Sequence, residues 1–503
     1  MRFAALVAGV CLGLAWLGPS RADSDLEHLL ASVRAAGGAP YAYHVRARLS
    51  EIDDGIPQQH DLELEQTRRF LQDCQGLACR GLFTDGRRSF ETDSNGTAVP
   101  SGDTPSLFDA SLQAVLLEEF ADPEFRTQGG SVVMLEPFER SGSTYPRLRV
   151  SPRLGSPVDV TLDPHTYLVT GVEDRWHRVT FAYPSERGTL PALPSQIVWA
   201  GRTAWTQHFS HWSIVDGPLA LPAGLAPVFE GREAVAKMVP PGNEPFMPAV
   251  ACTIGGRTVT ALLDTGDSNI AMSLELAEDL GVEASGGALA IHGIGQYVTG
   301  IAAGPGFAIG AVAFPAAKFA LLHDIHRYGY DLVLGADVFA HVRVTLDYAK
   351  QEVRFSPASD NVAPQDALQI HFENFIPVAQ AWLGATPAAL ALDTGDDASV
   401  NLAGDFYARN PSLFAPTASL QVAGVGGSST QLVGTIPSVT LARFEVRQQK
   451  IGATKGLNAT ADGHLGSGFL SHFIATFDYA HARVELVPRG GDTAVSSMPA
   501  SSQ

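Results

Sequence analysis

Apolar and polar residues alternate with a period of two through most of the first 215 positions, the pattern of strands that bury one face. Alternating segments run over residues 41–49, 61–72, 81–92, 131–136, 145–151, 158–162, 168–176, 178–183, 195–200 and 204–215. Two stretches break the rule with helical spacing: 26–36, where Leu29 and Leu30 share a face, and 112–121. Many strands with few helices predict one large curved antiparallel sheet in an N-terminal domain over 23–225. Residues 218–242, rich in Pro, Ala and Gly, read as a linker.

Beyond the linker the pattern changes. Residues 248–254 alternate, Gly255-Gly256 turns the chain, and 258–263 run apolar into Asp264-Thr265-Gly266. The same sequence of events returns in 376–383, Gly384-Ala385 and 388–392, ending in Asp393-Thr394-Gly395. A helix is expected after each: 273–280 closed by Gly281, and 403–409 closed by Asn410-Pro411. Residues 357–367 join the two halves, and the Gly- and Ser-rich tail 489–503 reads as disordered.

The two halves keep step. Asp393 follows Asp264 by 129 residues, and three further features recur at a spacing of 131. These are Leu332-Val333-Leu334-Gly335 with Gly463-His464-Leu465-Gly466, Val344-Thr345-Leu346-Asp347-Tyr348 with Ala475-Thr476-Phe477-Asp478-Tyr479, and the glycine-rich tips around Gly293 and Gly295 with those around Gly424 and Gly426. A near-constant offset marks an internal duplication. An Asp at the end of an apolar strand is partly desolvated, which raises its pKa and readies it for proton transfer.

This order of features resembles the pepsin and retropepsin-like aspartic proteases over residues 240–488, in the form of two fused retropepsin-like β-barrel lobes (240–357 and 368–488) related by a pseudo-two-fold axis. The resemblance implies an aspartic endopeptidase. Asp264 and Asp393 would form the catalytic dyad. Thr265, Gly266, Thr394 and Gly395 would brace it. Gly293, Gly295, Gly424 and Gly426 would be the tips of flaps over a peptide or protein substrate. Two carboxylates sharing one proton supply both the base that activates water and the acid that protonates the carbonyl. No cofactor or metal is expected; a cation held by Asp264, Asp267, Asp393 and Asp396 is the minor alternative. The segment 158–166 and the strands after it resemble, in pattern, the half-barrels of periplasmic lipoprotein carriers. Together the chain is expected to be mainly β: a half-barrel sheet followed by two lobes in one monomer.

The chain departs from the family after each Asp-Thr-Gly, where Asp267 and Asp396 replace a small or hydroxylated residue. Four ionised carboxylates in one cleft are too costly. Either Asp267 and Asp396 point away and accept from backbone N–H groups of a following turn or helix start, the preferred expectation, or one of them stays protonated.

Composition sets the setting. The chain has 503 residues, 45% hydrophobic, with 50 Gly and 32 Pro, which suits two or three strand- and turn-rich domains. Arg2, the apolar run 3–17 and Ser20-Arg21-Ala22 read as a signal peptide, placing the mature protein in the periplasm or outside the cell. No later stretch is apolar enough to span a membrane. The formal net charge of −19 makes nucleic acid an unfavourable partner. Cys74 and Cys79 flank a turn-like Gln-Gly-Leu-Ala and are expected to form a disulfide, while Cys252 sits in an alternating strand as a buried thiol. Against the endopeptidase stands a second reading: an idle protease-like scaffold whose N-terminal half-barrel binds lipid or peptide. The separation of Asp264 from Asp393 discriminates the two.

Overall fold

The computed structural model describes residues 21–37, 44–53, 56–65, 68–102, 107–185, 192–200, 205–242, 246–285, 288–358, 367–457 and 461–497. Most of the expected signal peptide lies outside them; the described chain begins with a helix, Arg21–Gly37. The fold is mainly β, as the alternation predicts. The chain divides into two compact units, one of Met1–Gln58, Leu64–Thr67 and Ser106–Gly217, the other of Gln59–Glu63, Arg68–Pro105 and Pro218–Gln503.

In the first unit an antiparallel sheet runs from His44–Asp53 through Trp205–Val215, Gln196–Ala200, Arg178–Ala182, Val169–Glu173, Val158–Leu162 and Ser143–Ser151 to Ser131–Arg140. Alternation places the side chains: Val158, Val160 and Leu162 are buried, while Asp159 and Thr161 between them are half-exposed. Leu30 and Val33 of the first helix are fully buried, which follows from their spacing on one face. The second helix spans Leu107–Leu116 and stops earlier than its spacing suggests. Glu118 takes a left-handed conformation, and a short 3-10 turn replaces the last helical turn.

Residues 68–105, expected in the N-terminal domain, group with the second unit. The segment read as one strand over 81–92 is two, Ala78–Thr84 and Ser89–Thr92. Asp85 and Gly86 make the turn between them, with the Asp85 carboxylate accepting from the N–H groups of Arg87 and Arg88. The strand Arg68–Gln75 pairs with Ala78–Thr84, which sets Cys74 directly opposite Cys79, and the two are disulfide-bonded. The next loop is tied to the protease-like half. Asn95 and Thr97 donate to the carboxylate of Asp337, which also accepts from the N–H of Ile270 and is completely buried. Val99 belongs to the same hydrophobic core as Leu263, Leu334 and Leu392.

Among the described residues, the rest of the second unit forms three sheets. In the first, Arg257–Leu263 runs parallel to Leu332–Leu334, Ile270–Ser273 lies antiparallel to Leu332–Leu334, and Ala317–Leu322 runs parallel to Ile270–Ser273. In another, Thr386–Asp393, Gly463–Gly466, Val400–Ala403 and Phe444–Thr454 repeat that pattern of parallel and antiparallel neighbours. A third sheet joins the halves through Val342–Asp347 and Phe473–Asp478. The helices fall where the caps put them: Leu274–Leu280 has Ser273 accepting from the Leu276 N–H and left-handed Gly281 at its end, and Gly404–Arg409 ends at Asn410.

Two expectations are corrected. The linker is not bare, because Val228–Phe229 and Ala234–Lys237 pair as edge strands, their short apolar pairs hidden among Pro and Gly. Part of the tail is ordered too: Val495–Ser497 pairs with Phe444–Thr454. The disulfide yields a direct test. Protein mapped by mass spectrometry without reduction should show Cys74 linked to Cys79 and Cys252 as a thiol; two alkylated thiols at Cys74 and Cys79 would contradict the pairing.

Candidate active site

Each Asp-Thr-Gly ends a buried strand that a parallel neighbour flanks, so the two turns are delivered by rigid sheet rather than by loop. The threonines lock them together. The Thr265 N–H donates to Thr394 Oγ1 (3.0 Å) and the Thr394 N–H to Thr265 Oγ1 (2.9 Å). Thr265 Oγ1 in turn donates to the Leu392 carbonyl (2.5 Å) and Thr394 Oγ1 to the Leu263 carbonyl (2.6 Å). Both threonines are fully buried. A hydroxyl is required here because each side chain both accepts from one N–H and donates to one carbonyl.

This brace brings the expected pair together: each carboxyl sits against the backbone of the other's motif glycine, and the charge of Asp393 acts on Asp264. Each carboxylate also accepts from the N–H of its own motif glycine, Gly266 at 2.8 Å and Gly395 at 2.9 Å. Glycine is obligatory at both places, since a Cβ on Gly266 would collide with the Asp393 carboxyl and one on Gly395 with that of Asp264. The other expected glycines gather at the tips of two hairpins that meet each other. The Gly295 N–H donates to the Val425 carbonyl (3.3 Å), and the Gly426 N–H to Asp324 Oδ2 (2.9 Å). Gly293, Gly424 and both Asp line a cavity of about 760 Å³.

Asp267 and Asp396 depart in part from their expected placement. Each does accept from a backbone N–H two residues on, that of Asn269 (3.0 Å) and of Ala398 (2.9 Å). The turns they close lead into strands, Ile270–Ser273 and Val400–Ala403, and not directly into helices. Nor do they point away, because both line the cavity. Strands that resume so soon after the turns hold the intervening residues against the cleft.

The residue that settles their charge is His464, which sequence reasoning passed over as a member of the Gly-turn motif. Its Nδ1 lies 3.0 Å from Asp393 Oδ2 and 3.3 Å from Asp396 Oδ2. The matching position in the first half is Val333, as the strand registers show: Val333 lies opposite Leu262 and His464 opposite Ala391. A polar residue at one of two repeated apolar positions was the signal available in the sequence. Burial alone would lower the His464 pKa, but the bonds and charges of Asp393 and Asp396 push it up to about 10. Burial would likewise raise Asp396; the His464 bond and charge, with Asn401 and the Ala398 N–H, outweigh this and hold it below the usual carboxylate range. Asp267 has no such partner. Burial drives it up to about 7, against the single Asn269 N–H, with the charges of Asp337 and Asp393 adding to the rise. Asp264 is raised well above its ordinary value by burial, then by the charges of Asp393 and Asp267.

Asp393, Asp396 and His464 bring three ligand-type atoms within 4.8 Å of one another. With its pKa pushed up to about 10, the His464 imidazole faces both carboxylates as an N–H donor, and a nitrogen that carries a proton does not ligate a cation.

Residues 250–338 match the family model of aspartyl proteases. No curated protein matches the chain. Among solved structures, a DUF1329 family protein of Desulfovibrio piger is similar over 40% of this chain and 96% of its own (9% identity, TM-score 0.28). A LolA superfamily protein of Nitrosomonas europaea covers 38% and 94% (10%, 0.28), and an outer membrane lipoprotein-sorting protein domain of Vibrio parahaemolyticus 38% and 93% (12%, 0.23).

Two stability measurements check these charges, with opposite signs. Asp267 titrates higher folded than unfolded, so its ionisation opposes folding increasingly from about pH 4 to about pH 7. Asp267→Asn keeps the acceptor for the Asn269 N–H. Relative to wild type it should gain stability across that window, by up to about 1.4 kcal/mol for each step of one in pH, and plateau above it. His464 is the reverse: its stabilisation is complete below pH 6.5 and is lost as pH rises through about 10. The thermal midpoint of His464→Gln should therefore trail wild type most at pH 6 and converge on it toward pH 10.

Proposed function

We propose that this chain is an exported aspartic-type peptide hydrolase built from two fused copies of one lobe. The observation that carries the reading is the convergence of the Asp264 and Asp393 carboxyls, each against the other's motif glycine, held by the reciprocal threonine brace and lining one cavity. The idle-scaffold alternative would allow those carboxyls to drift apart. The matching strand pairings of the two halves support the duplication, and the signal-like N-terminus supports export.

In this reading the pair has defined roles. Asp264, pressed upward by burial and by two neighbouring carboxylates, carries the shared proton. Asp393, with His464 Nδ1 3.0 Å from its Oδ2, takes the part of the base. A water between them gives a proton to Asp393 and attacks the peptide carbonyl carbon, while Asp264 protonates the carbonyl oxygen. Collapse of the tetrahedral intermediate returns that proton to Asp264, and Asp393 delivers its own to the departing amine. The abutting hairpin tips would open to admit substrate and close to exclude water.

A peptide-library assay on the mature protein tests this. Asp264→Asn and Asp393→Asn should each lower kcat/KM by at least ~10²–10⁴-fold, the range for loss of a general acid or base. Cleavage that survives both substitutions would end the proposal.

A further inference from the structure

The two halves of the cleft are chemically unlike at positions that the strand registers make equivalent. In the first half Val333 lies opposite Ala271, and Leu322 opposite Ser273. In the second half His464 lies opposite Asn401, and Thr454 opposite Ala403. Three apolar side chains, Ala271, Leu322 and Val333, thus correspond to three polar ones, Asn401, Thr454 and His464. The first set belongs to one hydrophobic cluster with Leu262 and Tyr330. The second set is a hydrogen-bonded network. Thr454 Oγ1 donates to Asn401 Oδ1 (2.8 Å), Gln431 Nε2 donates to the same oxygen (3.0 Å), and Asn401 Nδ2 donates to Asp396 Oδ2 (3.0 Å). Leu262, Leu322 and Val333 face the cavity on one side, and Asp396, Asp397, Asn401, Gln431 and His464 on the other.

We propose that the cleft reads the two sides of the scissile bond differently: an apolar side chain seats against Leu262, Leu322 and Val333, and a hydrogen-bond-donating side chain (Asn, Gln, Lys or Arg) seats against Asp396, Asp397 and Asn401. This rests on the hydrolase reading above and names the substrate class for it. Asp397 supplies the exposed acceptor of the second wall, behind which Asn401 Oδ1 already accepts from Thr454 and Gln431 and Asp396 Oδ2 from Asn401. Asp397 is exposed and has no ion-pair partner among the described residues, where the first half has Ser268 after the same motif. The His464 cation is already shared by two carboxylates, so it adds no positive charge for a substrate acid. A site lined by polar groups rejects a side chain that cannot bond to them far more strongly than an apolar site rejects a change of size. An aliphatic side chain there would strip water from Asp397 without replacing it, and a substrate carboxylate would meet like charge.

Binding to full-length mature Asp264→Asn, which retains the walls, tests the inference without turnover. The probes are reduced-amide peptides with Leu on one side of the isostere and Leu, Gln, Lys or Glu on the other, each made in both orders. In one order only, the Gln and Lys peptides should bind at least tenfold tighter than the Leu and Glu peptides. Adding Asn401→Ala, or the graft Asn401→Ala/Thr454→Val/His464→Val, should shrink that preference and improve the Leu–Leu peptide. Should the graft not fold, Asp397→Ser carries the same expectation for the Lys peptide. Leu–Leu binding as tightly as Leu–Gln and Leu–Lys, or a preference that Asn401→Ala and Asp397→Ser leave intact, overturns the inference, as does failure to bind any peptide. Selective binding together with no cleavage of any peptide by wild type rejects the hydrolase reading and leaves the divided cleft standing.

Discussion

Two carboxyl groups pressed into contact repel unless a proton or a cation intervenes, and the second unit is organised around keeping them there. The threonine brace does the holding. Each hydroxyl closes a ring across the interface of the two halves, so neither turn can retreat without leaving a buried N–H and a buried carbonyl unpaired. The motif glycines remove the side chains that would hold the turns apart. The sheets behind them, with a parallel neighbour beside each turn-bearing strand, make the arrangement stiff.

The brace is nearly symmetric, but the charge around it is not. The same backbone turn places Asp267 in one half and Asp396 in the other, and each bonds to the same kind of N–H. The exchanges of Val333 for His464 and of Ala271 for Asn401, with Asp337 beside Asp267, send the two carboxyls in opposite directions. Matching turns supply the two carboxylates; unlike residues at neighbouring strand positions give them a different electrostatic standing.

Most of this framework was legible in the sequence. The strand Val158–Leu162, the caps of Leu274–Leu280 and the two Asp-Thr-Gly turns rest on local rules: alternation, capping and apolar runs ending in a turn. What escaped depends on non-local contacts. His464 looked like one more residue in a backbone motif, and only the parallel pairing of its strand with Thr386–Asp393 puts its ring beside Asp393. The split of 81–92 at Asp85-Gly86 was a local signal, since Leu82-Phe83 and Phe90 are separated by a polar run that holds an Asp-Gly turn. The pairing of Ala234–Lys237 could not be read at all, because four residues among Pro and Gly carry too little pattern to reveal a partner more than a hundred positions away.

Asp337 has a bearing on how the chain can be divided. Its buried carboxylate is shared between Ile270, which begins the strand after the first Asp-Thr-Gly turn, and Asn95 and Thr97, which come from far upstream. Ser101 also bridges to Phe372 at the start of the second half. The autonomous piece is therefore not the stretch that begins at the proline-rich segment after residue 217. A nick there would leave the 89–101 strap in place as a non-covalent insert, whereas shedding everything upstream would take two hydrogen-bond donors from the buried Asp337 carboxyl and open a gap where Val99 packs. Processing that separates the early part of the polypeptide from the rest has to spare the strap, or it dismantles the lobe it was meant to release.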